Sequence, residues 1–440
     1  MQFPGGKSGL PKLSIKTFQR VNACVYYRSE IPGRVLEKRG LAEVNWESPW
    51  GEPTKKGLNE MVGRMVRGDA ALWWSSAGGL VEHILRAHYA YPVWRDGFGN
   101  AFSSAVFISD LDDNGHFIHP FNGSFAKTGT RLPDGTLLVE GDVVDTKLES
   151  GEVITLYRDG FRGFDVKRNH KKMASQDMII QKSHGVSFSV EPLREYYEEA
   201  LGLENTYVLP NSVIEEDYPQ VKHAEHPGEI RVLWQGGDNH YQDWYEIKEG
   251  IAWAVEKFPE VKWVIWGVDY PFIHDLIPRD RYEFHKWVPY EAYKYKLATI
   301  DFDFAIAPLV ENRFAEAKSS IKVYEAGMVG SPSLAANVGP YRELEDGETA
   351  MLYSTPEEFR EKFEMLVRNA WLRKNLTENL REWLFEHRDA EKTVPGWWKW
   401  VLETKEKWHE RKIEEESLRG LEGESGAVPV SDVHESVPEE

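Results

Sequence analysis

Residues 301–336 read DFDFAIAPLVENRFAEAKSSIKVYEAGMVGSPSLAA, and this stretch decides the fold class of the chain. The apolar run at 301–309 is typical of a buried strand, and residues 315–329 have the spacing of a helix. Gly330 and Pro332 then end the helix, and a second short apolar run follows. Strand, helix and strand in this order predict a βαβ unit and therefore a parallel sheet.

The residues before this unit repeat the same alternation. A strand-like run at 231–234 leads into Gly236 and Gly237, a helical pattern follows at 245–258, and a second apolar run occupies 261–267. Strands and helices that alternate at this spacing predict a doubly wound α/β domain.

The first half of the chain shows a weaker version of this pattern. Short apolar runs at 22–27, 70–74, 105–109 and 186–190 each predict a strand. The polar segment 215–228 contains two prolines and is typical of an interdomain linker. We therefore predict two α/β domains joined near residue 220.

Composition and charge exclude several classes of protein. The chain has 440 residues, one cysteine and a net charge of −19, of which residues 1–200 contribute zero and 414–440 contribute −8. One cysteine excludes a disulfide scaffold and a cysteine-based zinc site. No stretch has the ~20 apolar residues of a membrane span, and the acidic charge argues against a protein that coats nucleic acid. We expect a globular, cytoplasmic protein with a disordered acidic tail.

Two patterns in the second half predict an anion site. Gly236 and Gly237 lie at a strand–helix junction, where backbone amides can approach a phosphate, and His240 follows within one turn. The alternative is an ordinary tight turn between strand and helix.

The helix predicted at 315–329 carries the second pattern. Lys318, Lys322 and Glu325 have the spacing of one helix face, with Ser319 beside them. Two ammonium groups can neutralise a diphosphate, and a carboxylate one turn later can accept hydrogen bonds from a ribose. The alternative is a solvated face with ordinary Lys–Glu pairs.

The segment DLDDN at 110–114 ends a predicted strand and brings three carboxylates together. Asp110, Asp112 or Asp113 could act as a general base toward a hydroxyl group, because neighbouring carboxylates raise each other's pKa. They could equally coordinate a divalent metal or form an Asp-rich turn that caps the strand.

The motifs of the second half resemble those of the GT-B glycosyltransferases, most of all the retaining, family-4-like group and its phage and viral members. The motifs are the glycine pair with His240, KSSIK at 318–322, Glu325 with AGMVGSP at 326–332, and the loop NVGPY at 337–341. The resemblance covers about 231–353. One position departs from the family pattern: Ala317 stands where the family has its first, sugar-facing Glu, and Glu316 is one residue away.

The resemblance implies two Rossmann-like, doubly wound domains that face a cleft. The domains implied are an acceptor-side domain at 1–214, a linker at 215–228, a donor-binding domain at 229–392, a helix at 393–413 that crosses back to the first domain, and a tail at 414–440. The donor-binding residues implied are Gly236, Gly237, His240, Lys318, Ser319, Lys322 and Glu325. The catalytic candidates are Asp110, Asp112, Asp113 and Glu316. The acceptor-side candidates are Arg28, Lys167, Arg168, Lys171 and Lys172.

The resulting hypothesis is a glycosyltransferase that moves a sugar from a nucleotide-diphosphate donor to a hydroxyl acceptor. A hydroxymethylated pyrimidine in viral DNA is one acceptor that the resemblance suggests, and the basic run at 167–172 would contact its backbone; a glycan or protein acceptor is the alternative. A divalent metal is compatible with the site but not required. The rival hypotheses are a non-catalytic nucleotide-sugar-binding relative and a sugar-phosphate-cleaving enzyme such as a phosphorylase or epimerase.

Overall fold

The structure is a computed structural model. It describes residues 9–16, 23–47, 68–74, 105–118, 136, 143–147, 153–157, 166–221, 226–237 and 240–424. Two six-stranded sheets organise these residues, one in each half of the chain, and every strand pair within each of them is parallel. The predicted pair of α/β domains is therefore confirmed.

The N-terminal sheet has the strand order β2–β1–β3–β4–β7–β8, and β5 pairs with β6 in a separate antiparallel hairpin. The bounds in chain order are β1 Lys12–Lys16, β2 Glu43–Glu47, β3 Ala70–Trp74, β4 Val106–Leu111, β5 Val143–Lys147, β6 Val153–Tyr157, β7 Gly185–Phe188 and β8 Thr206–Val208. The central strand β4 is buried along its whole length, as expected for a strand that helices cover on both faces.

The C-terminal sheet has the strand order β11–β10–β9–β12–β13–β14. Its strands are β9 Ile230–Gly236, β10 Val261–Gly267, β11 Tyr282–Lys286, β12 Phe304–Ala307, β13 Ser333–Ala336 and β14 Met351–Tyr353. The strand order reverses between β9 and β12, since β10 and β11 extend one side of β9 and β13 and β14 extend the other. Ligands of open α/β sheets bind beyond the carboxyl ends of the strands at such a point.

Helices cover both sheets. The α-helices are Ala23–Val25, Ile31–Lys38, Val166–Lys182, Glu191–Leu201, Tyr241–Glu246, Lys248–Lys257, Ile273–Leu276, Tyr290–Thr299, Arg313–Glu316, Ile321–Met328, Pro356–Arg368, Ala370–His387 and Ala390–Glu424. Residues Tyr26–Glu30 form a π-helix, and short 3₁₀ turns occur at Gly115–Phe117, Glu215–Asp217, Arg279–Arg281 and Gly339–Glu343. No helix of the described residues is long and apolar enough to cross a membrane.

The chain passes between the two domains twice, and the two crossings lie side by side. The Val213 N–H donates to the Arg388 carbonyl at 2.8 Å, and the Ala390 N–H donates to the Val213 carbonyl at 3.0 Å. The helix Ala390–Glu424 then buries Trp397 and Trp398 in the core of the N-terminal domain. It continues to Glu424, so part of the expected acidic tail is helical; residues 425–440 lie outside the described part.

Two predictions of secondary structure are wrong. Residues 23–38 are helical throughout, although 22–27 was expected to be a strand, because a short apolar run fits a buried helix as well as a strand. The helix expected at 315–329 is two helices, separated by a turn at 317–320.

Candidate active site in the interdomain cleft

A cavity of about 490 Å³ lies between the two domains, where the loops that follow β4, β9 and β12 meet. The predicted site residues that line it are Asp112, Asp113, His240, Lys318, Ser319, Lys322 and Glu325. Trp287, Val288, Tyr290, Leu309 and Tyr341 add apolar and aromatic walls. An apolar cavity with a few convergent polar groups is the usual form of a small-molecule site.

Lys322 is the second lysine that lines this cavity, beside Lys318. It lies in the first turn of the helix Ile321–Met328, and its Nζ has neither a hydrogen bond nor an ion pair with any described residue. Burial, together with the charge of Lys318, lowers the pKa of Lys322 from its ordinary 10.5 to about 8. The side chain is therefore still mostly protonated at neutral pH, and an anion in the cavity would satisfy its charge.

Lys318 and Ser319 lie in the turn before this helix. The predicted single helix face is therefore wrong for Lys318, yet the turn brings it to the same cavity as Lys322 and Glu325. Lys318 Nζ lies 3.4 Å from Asp113 Oδ1, across the cleft. Burial acts to lower the pKa of Lys318, but the nearby carboxylates, Asp113 first, raise it above its ordinary value. Lys318 thus stays charged and joins the two domains.

Asn211 connects the two walls of the cleft. Its amide nitrogen lies 3.0 Å from Asp112 Oδ1 and 2.8 Å from Ser319 Oγ, and it donates to both. It holds the carboxylate of the N-terminal domain and the hydroxyl group of the C-terminal domain in fixed positions.

His240 is held by Asp243. His240 Nδ1 lies 2.6 Å from Asp243 Oδ2, and the Val310 N–H donates to Asp243 Oδ1 at 3.0 Å. Burial and the charge of Lys322 lower the pKa of His240 to about 4, so the imidazole is neutral at physiological pH. A neutral ring can both donate and accept a hydrogen bond, which suits contact with a polar ligand.

Gly236 and Gly237 shape this wall without lining the cavity. A Cβ at Gly236 would lie 2.6 Å from the Trp234 ring, so only glycine fits the close approach of strand and ring. The Gly237 carbonyl accepts hydrogen bonds from the His240 N–H and the Tyr270 hydroxyl. The pair therefore turns the chain and positions His240.

Glu325 is buried and fixed by two tyrosines. Tyr27 donates to Oε1 at 2.8 Å and Tyr293 donates to Oε2 at 2.7 Å. Burial raises the pKa of Glu325, and the positive charge of Lys294 acts against that rise. Because Tyr27 belongs to the N-terminal domain, Glu325 also takes part in the contact between the domains.

Lys294 is a buried residue of this network that the sequence analysis missed. Its Nζ lies 3.5 Å from the centre of the Tyr26 ring and 4.2 Å from that of Tyr218, and it has no hydrogen-bond partner among the described residues. Burial lowers the pKa of Lys294 to about 7. The alternation of tyrosine and lysine in YEAYKYK at 290–296 is the only sequence signal for it.

Asp110 was predicted as a catalytic residue and Arg28 as an acceptor-side residue, and the structure places neither in the cavity. Each side chain is completely buried, and the guanidinium holds the carboxylate with two hydrogen bonds of 2.7 and 2.8 Å. Arg28 also donates to the Leu209 carbonyl and to Asn211 Oδ1. The buried pair holds Asn211, which in turn binds residues of the cleft. Neither Arg28 nor Asp110 lines the cavity itself.

The other predicted residues lie apart from this cavity. Glu316 is exposed and faces a second cavity on the far side of Lys318. Lys167 and Lys171 are exposed on the helix Val166–Lys182 and line neither cavity; the side chains of Arg168 and Lys172 lie outside the described part. Within the described residues, no group of three His, Cys, Asp or Glu side chains is arranged to hold a metal ion.

Part of this cavity lies in a segment that matches a known protein family. Residues 248–394 match the family model described as glycosyl transferase-like, and the match includes Lys318, Ser319, Lys322 and Glu325. The matched segment contributes β10–β14 and the helix that carries Lys322 and Glu325. Among curated proteins, none matches the sequence.

Solved structures with the same fold extend the likeness to the N-terminal half. A glycosyltransferase from Rickettsia africae ESF-5 aligns with a TM-score of 0.56 at 10% identity, over 90% of this chain and 98% of that one. Sucrose-phosphate synthase from Thermosynechococcus elongatus aligns with a TM-score of 0.55 at 12% identity, over 88% and 98%. Anabaena Alr3699/HepE, in complex with UDP-glucose, aligns with a TM-score of 0.54 at 10% identity, over 92% and 100%.

The likeness to TarM is partial in length. It has a TM-score of 0.51 at 15% identity and covers 76% of this chain, but only 54% of TarM. Taken together, these neighbours and the two parallel sheets confirm the predicted GT-B fold. The family match supports the prediction of a glycosyltransferase.

Proposed function

We propose that the protein transfers a sugar from a nucleoside-diphosphate donor to a hydroxyl group of an acceptor. The observation that carries this proposal is the pair Lys318 and Lys322 on the wall of a 490 Å³ cavity, with the ammonium of Lys322 unpaired among the described residues. A diphosphate is the anion that two neighbouring ammonium groups would neutralise.

The donor-side residues have distinct roles in this proposal. Lys318, Ser319 and Lys322 bind the diphosphate and stabilise the negative charge that grows on it as the sugar leaves. Glu325 binds the ribose hydroxyls, since each of its oxygens accepts one tyrosine hydrogen bond and keeps a second lone pair. Neutral His240, turned into place by Gly236 and Gly237, binds a polar group of the donor.

The acceptor-side carboxylates are Asp112 and Asp113. Both line the cavity, and one of them would orient or deprotonate the attacking hydroxyl group. Asp112 is nearly buried and held by Asn211, whereas Asp113 is exposed and paired with Lys318. Asp112 is therefore the better placed as a base, since its partner does not carry a charge.

Mass spectrometry after incubation with nucleotide sugars and a panel of acceptors tests the proposal. UDP-glucose is the first donor to use, because the similarly folded Anabaena protein was solved with it. We expect a product whose mass increases by one sugar residue, or slow hydrolysis of the donor in the absence of acceptor. Tight binding of a nucleotide sugar with neither outcome would instead favour the rival, a non-catalytic nucleotide-sugar-binding protein.

A hydroxymethylated pyrimidine in DNA is the more specific acceptor that the resemblance to viral glycosyltransferases suggests. Lys167 and Lys171, exposed on the helix Val166–Lys182, are the residues that would contact a phosphate backbone. Binding of such DNA would weaken steeply with salt, because each neutralised phosphate releases counter-ions. If a low-salt gel shows no shift of hydroxymethylated DNA, a glycan or protein acceptor replaces it.

Binding of UDP is expected to weaken as the pH rises above 8. Lys322, with its pKa of about 8, must be protonated to bind the diphosphate, so the binding constant should fall by up to about tenfold per pH unit above that value. Calorimetric titrations between pH 7 and 9 measure this fall. In Lys322→Arg the guanidinium stays protonated, so the affinity of that variant should be flat over the same range; a parallel fall in both proteins would contradict the assignment.

A further inference from the structure

Lys294 is a buried cation to which the proposed function gives no role. It lies on the helix Tyr290–Thr299 and is only 7% exposed. Its Nζ has no hydrogen-bond partner among the described residues and faces tyrosine rings instead, 3.5 Å from the centre of Tyr26, 4.2 Å from that of Tyr218 and 5.4 Å from that of Tyr27. Burying an ammonium without a hydrogen bond costs free energy, so a nearby negative charge is needed to offset that cost.

Three carboxylates act on Lys294, and two of them already have another cation. Asp217 accepts two hydrogen bonds of 2.7 Å from Arg34, and Glu30 lies 3.6 Å from the same guanidinium. The third is Glu325, whose charge acts on Lys294 more strongly than the other two and which forms no ion pair with a described residue. The charge that compensates the ammonium is therefore mainly that of Glu325.

The ammonium and this carboxylate share one cluster of tyrosines. Tyr27 donates to Glu325 Oε1 at 2.8 Å and turns its ring toward Lys294. Tyr293, which precedes Lys294 on the helix, donates to Glu325 Oε2 at 2.7 Å. Burial raises the pKa of every tyrosine in the cluster, so each hydroxyl group keeps its proton at neutral pH; the members are Tyr26, Tyr27, Tyr218, Tyr290 and Tyr293.

Burial favours the protonated form of Glu325, and Lys294 opposes it. Burial is the strongest influence on the pKa of Glu325 and raises it, whereas the charge of Lys294 is the strongest influence in the opposite direction, ahead of that of Lys322. A protonated carboxyl group carries a hydrogen on one oxygen, which then has less capacity to accept a hydrogen bond from a ligand in addition to that from its tyrosine. The charge of Lys294 therefore decides how Glu325 can bind a hydroxyl group.

We propose that Lys294 is a positioning residue of the donor site, whose ammonium keeps Glu325 ionised so that both carboxylate oxygens can accept hydrogen bonds from a ribose. This inference rests on the proposed function, in which Glu325 binds the ribose. Lys294 does not line the cavity, so it acts through Glu325 and not on the ligand itself. Tyr26, Tyr27 and Tyr218 keep water and other anions away from the ammonium, which leaves its charge to act on the carboxylate.

Calorimetric titrations of UDP and 2′,3′-dideoxy-UDP at pH 6.5 test this role. Burial lowers the pKa of Lys294 to about 7, so most of the ammonium is present at that pH. The wild type should bind UDP at least about tenfold more tightly than the dideoxy compound, because the ribose hydroxyl groups donate to an ionised acceptor. In Lys294→Met the preference should fall to about threefold or less, as for a neutral acceptor. An unchanged preference would overturn the inference.

Two further variants distinguish an effect through Glu325 from a disturbed fold. Lys296→Met changes a half-buried lysine of the same helix that does not line the cavity, and it should keep the wild-type preference. Glu325→Gln cannot ionise, so this variant and the double variant Lys294→Met with Glu325→Gln should show the same small preference. The double variant also removes both buried charges, so it tests the inference even if Lys294→Met alone does not fold. A further loss in the double variant would mean that Lys294 does not act through Glu325.

Pyrophosphate separates this inference from the proposed function, because it has no ribose. Its affinity should be the same for the wild type and Lys294→Met, and weaker binding to the variant would contradict a role confined to Glu325. If the wild type binds neither UDP nor pyrophosphate, the proposed donor site is wrong. If the wild type binds UDP and the dideoxy compound equally well, Glu325 does not bind the ribose, and the role of Lys294 fails with it.

Discussion

Replacing Lys322 by methionine is expected to weaken the binding of UDP about 100-fold and to reduce sugar transfer accordingly. The ammonium lines the proposed donor cavity and is unpaired among the described residues, and a charge-assisted contact with a phosphate contributes about 1.5–3 kcal/mol. Methionine has a similar length and no charge, so the cavity keeps its shape. Calorimetric titration of UDP, together with the rate of transfer, measures the effect.

The same substitution should not destabilise the protein. The pKa of Lys322 falls from 10.5 to about 8 on folding, so below pH 8 the ionised side chain costs on the order of 3 kcal/mol of folding free energy. Methionine removes this cost, and the free energy of unfolding at pH 7 should rise. Lys374→Met, at a side chain that is 72% exposed, is the matched control and should change neither quantity. Loss of UDP binding together with a lower stability would indicate that Lys322 is structural.

The sequence predicted the C-terminal domain well because most of its strands, unlike the edge strand β11, are nearly continuous apolar runs. Parallel strands that helices cover on both faces lack the alternation of apolar and polar residues that could be assigned to the wrong structure. Gly330 and Pro332 end the helix where expected. Lys322 and Glu325 could be paired from their spacing alone, since both lie in the one helix Ile321–Met328.

Predictions failed where tertiary packing decides the local structure. Residues 23–27 are helical because Tyr26 and Tyr27 pack into the contact between the domains, which no local pattern encodes. Arg28 and Asp110, both ionisable, would normally be assigned to the surface. Their pairing across 82 positions of sequence is visible only in the folded chain.

Lys294 illustrates a second limit of prediction from sequence. Its surroundings come from three separate segments, with Tyr26 in the N-terminal domain, Tyr218 in the linker and Glu325 in the helix after β12. A lysine on a helix is usually assigned to solvent. The burial of this one depends on how the two domains meet, and that arrangement is not encoded within any single segment.

Replacing Arg28 by methionine is expected to lower the free energy of unfolding by about 3–5 kcal/mol, because it leaves the carboxylate of Asp110 buried without its partner. The substitution also removes the donor that holds Asn211, which in turn holds Asp112 and Ser319. Chemical denaturation followed by fluorescence measures the stability, and the transfer rate of the folded fraction should fall as well.

The double variant Arg28→Met with Asp110→Leu distinguishes a buried charge from lost packing. Replacing both members of a buried ion pair by apolar groups removes the unpaired charge, so the double variant should be more stable than Arg28→Met alone. The control Arg342→Met breaks an exposed ion pair with Glu311 and should lower the free energy of unfolding by less than about 1 kcal/mol. If Arg28→Met lowers the free energy of unfolding by less than about 1 kcal/mol, or if adding Asp110→Leu recovers none of the lost stability, the ion pair does not support the cleft. A double variant that folds but transfers slowly would place the role of Arg28 in positioning Asn211.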